Sequence, residues 1–172
     1  MKMPILALLR HAKSSWDDPA ISDFDRPLND RGKRAAPEIG RVMRDLKISP
    51  DIILCSPATR THQTLDLVLP HLKCSEPDVR YEKALYHANA AALLDQVRRL
   101  DDKKRTALFV GHNPGLHALA LTLAGDGATD DLTRLTSKFP TAALALFSFT
   151  APRWQDVAPG KGWLEAFVMP EK

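Results

Sequence analysis

Two arginines and two histidines in this sequence follow short apolar runs, at positions where a strand of a sheet would end. Arg10 and His11 follow the apolar run in "ALLRHAKSS", and His112 follows "RTALFVG". Arg60 lies shortly after a third apolar run, "IILC". A histidine with an unprotonated ring nitrogen can attack phosphorus, and the planar guanidinium of arginine can bind two phosphate oxygens at once. These four residues therefore predict a site for phosphoryl chemistry.

The grouping of these four side chains is more informative than any one of them. Alone, Arg10 and His11 could form a solvated strand end, and Arg60 could pair with Asp66 on the surface. Together the four would bury like charges, which is costly unless an anion is present. Nearby arginine charges should keep His11 neutral by lowering its pKa, whereas His112 could remain protonated beside a phosphate. The set favours a phosphate- or sulfate-like anion as ligand.

A metal site is the competing chemical interpretation of the same region. His11 and His112, with Asp17 and Asp25 from the polar segment after the first apolar run, could form a ligand set. The two arginines would repel a divalent cation, so the sequence favours an anion and predicts no metal.

The predicted secondary structure explains how distant segments would meet. Apolar runs predict strands at 3–9, 50–57, 79–85, 105–111, 141–150 and 162–170. Helical spacing predicts a first helix that is capped by Asn29 or Asp30 and ends near Leu46, and Pro37 predicts a kink in it or a later start. The same spacing predicts further helices over 57–72, 89–100, 113–125 and 128–139. This order predicts an α/β/α three-layer sandwich with a mainly parallel sheet. Ligands of such sheets lie beyond the carboxyl ends of the strands, where the four basic residues fall.

Composition limits the remaining classes. The 172 residues suit a single domain over 1–172, with 44% hydrophobic residues and a net charge of +3 spread along the chain. This pattern is compatible with an anionic ligand but is not typical of a nucleic-acid-binding face. Cys55 and Cys74 lack metal-ligand spacing, which favours reduced thiols in a cytoplasmic protein. No apolar run suggests a signal peptide or a membrane span.

Four segments of the sequence resemble one known family. "LLRHAKS", "CSPATRTHQT" and "VGHNPGL" resemble, in order and spacing, the three signature motifs of the histidine phosphatase superfamily, which includes phosphoglycerate mutases. "DFDRPLNDRGKRAA" is similar to the stretch that the family carries between the first two motifs. The matches run from residue 6 to about 117. Their details most resemble the compact branch of SixA-type phosphohistidine phosphatases.

The resemblance implies a phosphoglycerate mutase-like fold and a role for each motif residue. His11 would be transiently phosphorylated, Arg10 and Arg60 would bind the phosphoryl oxygens, and His112 would stabilise the transition state. No metal or organic cofactor would be needed. Further candidates for phosphate or substrate binding are Ser14, Asp17 and Asn113.

The resemblance leaves several substrates and roles open. The first is phosphohistidine on a protein, which would place the enzyme in signal transduction. The alternative is a broad-specificity phosphomonoesterase for small molecules. A phosphate-binding module without catalysis and a mutase are less favoured, because a pure binder needs no nucleophile and a mutase must shield phosphohistidine from water.

The sequence departs from the wider family in two respects. Many members carry a glutamate general acid after the third strand. The equivalent position here falls near His87, and Glu82 lies slightly early. Asp17 and Asp25 are further candidates for the general acid. A phosphoramidate leaving group needs less protonation than an alkoxide, so this difference favours phosphohistidine. The chain also lacks a large cap insertion, which predicts an open, shallow site suited to a phosphorylated protein.

Overall fold

The computed structural model describes residues 2–170. Within this range seven strands form one sheet: β1 Ile5–Arg10, β2 Ile52–Cys55, β3 Asp78–Tyr81, β4 Thr106–Gly111, β5 Ala124–Gly127, β6 Leu144–Phe149 and β7 Gly162–Val168. Their spatial order is β3-β2-β4-β1-β6-β7-β5. Only β6 runs antiparallel to its neighbours in the described part of the chain. The mainly parallel sheet predicted from the sequence is therefore confirmed.

Five α-helices within residues 2–170 cover the two faces of the sheet: α1 Asp30–Asp45, α2 Thr59–Val68, α3 Ala90–Arg98, α4 Gly115–Leu123 and α5 Thr129–Ser137. Leu6 and Leu8 of β1 pack in the apolar cluster with α3, α4 and α5. Ala7 and Leu9 point to the opposite face and pack with α1 and α2. This alternation of side chains along a strand that is buried on both faces produces the three predicted layers. None of these helices has the length and apolar character that crossing a membrane would require.

The helix boundaries differ from the sequence-based prediction in two places. Asn29 caps α1 as predicted, with its side chain accepting a hydrogen bond from Gly32 N at 2.9 Å. Pro37 lies inside this helix, so a later start is wrong. Buried Ile39 and Met43, which follow Pro37 on the sheet-facing side, supply packing that offsets the lost backbone hydrogen bond. Pro57 does not open α2, which begins two residues later.

One strand was not predicted, and the others are shorter than predicted. β5 has the sequence AGDG and lies partly within the predicted helix over 113–125. Its glycines and aspartate have low strand propensity, and its pairing with β7 is a tertiary contact that local pattern cannot show. β3 ends at Tyr81 and is followed by a 3₁₀ turn over Lys83–Leu85.

The register of three central strands brings their carboxyl ends together. β4 lies between β1 and β2, with Arg10 paired to Gly111 and Cys55 paired to Val110. The backbone N–H of His11 donates to Gly111 O at 3.1 Å, continuing the β1–β4 ladder by one residue. The residues that follow the three strands therefore emerge side by side at one edge of the sheet.

The connection between β3 and β4 forms part of the outer layer. Its helix α3 buries Leu93, Leu94 and Val97 in the core beside α4. No large insertion interrupts the described part of the fold, as predicted.

Close packing at the start of α4 gives a first testable prediction. An ideal Cβ on Gly115 would lie 1.9 Å from Ala88 O. We expect Gly115→Ala to lower the free energy of unfolding by about 2 kcal/mol, because overpacking outweighs the gain of about 1 kcal/mol in helix propensity. Urea denaturation measures the difference.

Gly111→Ala is the matched control, since the nearest neighbour of its ideal Cβ is Leu116 Cδ1 at 3.8 Å, an ordinary contact. Equal destabilisation by the two substitutions would contradict this account.

Candidate active site

The structure brings together the four basic residues that the sequence singled out. Arg10 ends β1, His11 follows it, Arg60 lies in the first turn of α2, and His112 follows β4. The ring centroids of His11 and His112 are 5.4 Å apart, with the ring planes inclined by 52°. His11, Arg60 and His112 are only 6%, 5% and 9% exposed, whereas Arg10 is half-buried. The four side chains thus form a compact basic cluster at the carboxyl edge of the sheet.

The backbone fixes which ring nitrogen of His11 can react. The Nδ1 atom lies 2.7 Å from Ala12 O. A carbonyl oxygen can only accept, so Nδ1 carries the hydrogen and Nε2 holds a free lone pair in the neutral ring. Burial, with smaller contributions from His112, Arg10 and Arg60, lowers the pKa of His11 to about 3, although the bond to Ala12 opposes this shift. The ring is therefore neutral near pH 7, with Nε2 available as a nucleophile.

His112 is also neutral in the ligand-free protein. Its Nε2 atom lies 2.7 Å from Ser56 Oγ. Burial, followed by the charge of Arg60, lowers the pKa of His112 to about 3. Desolvation and the charges of the arginines disfavour a further positive charge on this ring. The sequence-based expectation of a protonated His112 concerns the site with a phosphate bound, and it stays a prediction. A bound phosphoryl dianion would favour protonation again.

The two arginines have unequal protein partners. Arg60 donates to Asp23 O at 2.6 Å and to Asp23 Oδ2 at 3.1 Å. Arg10 donates to the backbone carbonyl of Phe139 at 3.1 Å. Burial and the nearby Arg60 charge lower the pKa of Arg10. Within residues 2–170, Arg10 therefore has no carboxylate among its hydrogen-bond partners.

Three side-chain nitrogens in the described part of the chain are buried without a hydrogen-bond partner: Arg10 Nε, Arg60 Nε and His112 Nδ1. All three belong to the basic cluster. Leaving such groups unpaired in the interior is unfavourable, and the oxygens of an oxyanion can accept hydrogen bonds from guanidinium and imidazole N–H groups. The arrangement therefore fits a phosphate-like ligand.

A rim of residues that the sequence analysis did not assign covers one side of the cluster. Tyr86 donates its hydroxyl to Asp23 Oδ2 at 2.6 Å, and its ring centroid lies 5.4 Å from that of His112. Phe24 packs edge-on against Tyr86 at 5.1 Å. Tyr86 and Asp23 therefore border the cluster on the side of His112 and Arg60.

The carboxylate of Asp23 remains ionised. The Tyr86 hydroxyl makes the largest contribution that holds its pKa well below the usual range, with further contributions from Arg60 and Arg26. Asp23 lies in the segment "DFDRP", which the sequence analysis noted without giving this residue a role.

The remaining predicted site residues have different environments. Ser14 accepts a hydrogen bond from Arg26 Nη1 at 2.6 Å and lines a cavity of about 110 Å³ together with Arg10 and His11. Asn113 Nδ2 donates to Phe139 O at 2.7 Å, the same carbonyl that Arg10 contacts. Asp17 is exposed and lines a separate surface depression.

The two candidate general acids are not equivalent in position. His87 lies against the ring of Tyr86, with the centroids 3.9 Å apart, and its charge helps to lower the pKa of His112. Glu82 lies near Arg80, whose pKa is raised mainly by Asp78 and to a smaller extent by Glu82. Only His87 is therefore beside the cluster.

The alternative metal-ligand set is not assembled. Within residues 2–170, no three histidine, cysteine, aspartate or glutamate side chains are grouped so that they could share a metal ion. Asp25 instead accepts a hydrogen bond from Ser22 at the surface, at 2.8 Å.

The lowered pKa values predict how stability depends on pH. In the unfolded chain, His11 and His112 have ordinary pKa values near 6.5, against about 3 in the folded protein. Between these values the unfolded chain binds protons that the folded protein does not. The free energy of unfolding should therefore fall as the pH is lowered from about 6.5, by up to roughly 1.4 kcal/mol per pH unit for each histidine.

Urea unfolding of the wild type and His112→Asn between about pH 7.5 and 4.5 measures this slope. The slope reflects how many more protons the unfolded chain binds than the folded protein. In His112→Asn this difference should be smaller by about one proton. An unchanged slope would show that His112 does not resist protonation in the folded state.

Comparison with known proteins agrees with the fold. Residues 6–86 match the family model of the histidine phosphatase superfamily, branch 1. An uncharacterized protein of Mycobacterium tuberculosis is 40% identical over 164 residues, covering 94% of this chain and 99% of that protein. The structure of a proposed SixA phosphohistidine phosphatase from Nakamurella multipartitia has a TM-score of 0.84 and 29% identity, covering 99% of this chain and 98% of that one. A second such structure, from Agrobacterium tumefaciens, has a TM-score of 0.80 and 30% identity, covering 99% of this chain and 100% of that one. The chain therefore belongs to the histidine phosphatase superfamily and is of the SixA type.

Proposed function

We propose that this protein hydrolyses phosphohistidine on another protein through a phosphorylated His11 intermediate. The observation that carries the proposal is the state of His11: a buried, neutral imidazole with Nδ1 bonded to Ala12 O and Nε2 free beside Arg10 and Arg60. The similarity to two proposed phosphohistidine phosphatases supports the choice of substrate.

The reaction would consist of two in-line displacements at phosphorus. His11 Nε2 attacks the phosphoryl group, and the bond between phosphorus and the substrate histidine breaks. The electron pair of that bond returns to the substrate imidazole, which takes up a proton from solvent. Water then attacks phospho-His11, the bond to Nε2 breaks, and inorganic phosphate leaves while the proton lost by water passes to solvent. Arg10 and Arg60 would hold the phosphoryl oxygens, over which the charge is spread in the transition state.

The groups around the pocket favour a leaving group that needs little protonation. Asp23 is held ionised and is a poor proton donor near neutral pH. Glu82 lies near Arg80 rather than in the cluster. The imidazole ring of histidine has an ordinary pKa near 6.5, so near neutral pH it can take up a proton without a strong acid at the site, and it then departs readily. An alkoxide, in contrast, requires a strong acid at the site. Phosphohistidine is thus better suited to this pocket than an alkyl phosphate.

One observation keeps a phosphomonoesterase as the second candidate. Burial and the bond to Asp23 raise the pKa of Tyr86, so its hydroxyl stays protonated at the rim beside His112. His87 adjoins the same ring. Either group could donate a proton to a departing ester oxygen.

A substrate panel separates the two candidates. The purified protein is offered a phosphohistidine-bearing protein, an aryl phosphate and a sugar phosphate, before and after dialysis against a chelator. We expect turnover of the phosphohistidine protein to have the highest kcat/KM and to survive chelation, since no proposed step needs a metal. Strong turnover of the sugar phosphate with none of the phosphohistidine protein would overturn the proposal in favour of the phosphomonoesterase.

A further inference from the structure

A wide basic groove adjoins the proposed catalytic pocket. It has a volume of about 850 Å³ and is lined on one side by α1. Five cationic side chains line it, together with one carboxylate, that of Glu38: Lys13, Arg31, Lys33, Arg34 and Arg41. All five cationic residues are exposed. The groove is therefore a concentrated positive surface, which the even distribution of charge along the sequence did not predict.

The groove adjoins the cavity beside Arg10 and His11. Lys13 and Thr141 line both the groove and the cavity of about 110 Å³ that contains Arg10 and His11. Gly32 accounts for this proximity, because an ideal Cβ there would lie 2.1 Å from Lys13 O. The missing side chain lets the first turn of α1 pack directly on the loop that follows His11. An extended ligand with its phosphoryl group at His11 could thus continue into the groove.

The positive charges of the groove have no carboxylate partners among the residues that the structure describes. In residues 2–170, ion pairs shorter than 4.0 Å occur at nine sites, and none of them involves the five groove cations. Like charges concentrated on one surface repel each other, and a ligand of opposite charge relieves that repulsion and is attracted to the groove during encounter.

We infer that this groove binds an acidic segment of the substrate protein next to its phosphohistidine, an inference that rests on the proposed function. Arg31 and Arg41 are ten residues apart on α1, a rise of about 15 Å. An extended chain covers that distance in about five residues. The preferred substrate would therefore carry acidic residues within about five positions of the phosphorylated histidine.

The lining of the groove favours a protein over a nucleic acid. The described residues that line it include no aromatic side chain on which a base could stack. Glu38 also places a negative charge among the cations, where a continuous phosphate backbone would be repelled. An acidic peptide can place neutral residues opposite Glu38 and carboxylates opposite the arginines.

Matched peptides and matched variants test this inference. Two phosphohistidine peptides carry either glutamates or glutamines at the four positions on each side of the phosphohistidine. The groove variant is Arg31→Gln/Arg34→Gln/Arg41→Gln. The control variant Lys2→Gln/Lys103→Gln/Lys161→Gln removes the same charge from exposed residues near the opposite edge of the sheet, none of which forms an ion pair within residues 2–170. An aryl phosphate, too small to reach the groove, reports whether each variant retains an intact pocket.

We expect the wild type to hydrolyse the acidic peptide with a kcat/KM about tenfold higher than that of the neutral one, and the preference to shrink with added salt. The groove variant should lose the preference and keep its aryl phosphate activity, whereas the control variant should retain both. Equal turnover of the two peptides by the wild type, or a preference that survives in the groove variant, would overturn the inference and leave the proposed function standing.

Two other outcomes identify different occupants or substrates. Hydrolysis of the acidic phosphohistidine peptide can be measured with a single-stranded oligonucleotide or an unphosphorylated acidic peptide of equal charge as competitor. If the oligonucleotide inhibits this hydrolysis more strongly, and does so only when the groove arginines are present, the groove is a nucleic-acid site and the inference is wrong. Turnover of the aryl phosphate with neither phosphohistidine peptide hydrolysed would overturn the proposed function, and the inference with it.

Discussion

Replacing His11 with asparagine is expected to lower kcat for both a phosphohistidine protein and an aryl phosphate by about 10⁴-fold, because the attacking nitrogen is lost. Asparagine is preferable to alanine as the replacement. It partly fills the buried site, and its amide can still donate to Ala12 O. The effect should therefore reflect chemistry rather than a collapse of the loop after β1.

A trapping experiment gives a second reading of the same substitution. The wild type is mixed with a labelled substrate and the reaction is quenched rapidly without acid. One acid-labile, base-stable phosphate should then be found on the wild-type protein and none on His11→Asn. His62→Asn is the matched control, since His62 is exposed on α2 and pairs with Asp66 at 3.0 Å, away from the cluster. Label on the His11→Asn protein, or unchanged turnover by it, would exclude His11 as the nucleophile.

Replacing Arg60 with alanine is expected to lower kcat/KM by about 10³-fold for every phosphorylated substrate, since a buried positive charge that acts on both His11 and His112 is lost from the proposed phosphoryl site. Arg60 is 5% exposed, and a cation there is little screened by solvent. Arg60→Lys should recover only part of the loss, because an ammonium group keeps the charge but cannot bind two oxygens at once.

The ion pair with Asp23 requires its own control. Removal of Arg60 leaves the Asp23 carboxylate facing the pocket, where it would repel a phosphoryl dianion. The double variant Arg60→Ala/Asp23→Asn removes this repulsion and should recover a minor part of the activity. Arg80→Ala, which removes an arginine paired with Asp78 on the edge strand β3, should leave kcat/KM unchanged. Wild-type activity in Arg60→Ala, or full recovery in the double variant, would show that Arg60 does not bind the phosphoryl group.

The core strands and the reactive residues could be predicted because their signals are local. β1 and β4 are continuous apolar runs, as expected of strands with helices on both faces, and each is followed at once by its functional residues. A parallel sheet with right-handed crossovers then requires those residues to meet at one edge. Arg10, His11 and His112 could thus be grouped from the sequence alone.

The surroundings of these residues could not be predicted in the same way. Asp23, Tyr86 and the carbonyl of Phe139 come from three loops, and each contacts the cluster only because of the path its loop takes. β5 was missed for a related reason, since a four-residue strand rich in glycine is stabilised by its pairing with β7 rather than by its own propensity.

The sequence by itself determined the three-layer fold, the order of its main elements and the basic residues at the carboxyl edge of the sheet. These follow from the periodicity of apolar residues and from short motifs, both of which are read within a few positions of the chain. Only the tertiary structure decided that both histidines are neutral, that Asp23 and Tyr86 border the cluster, and that five cations form a groove beside it. Burial, proton affinity and the meeting of charges depend on distances between segments far apart in the chain, and those distances exist only once the chain has folded.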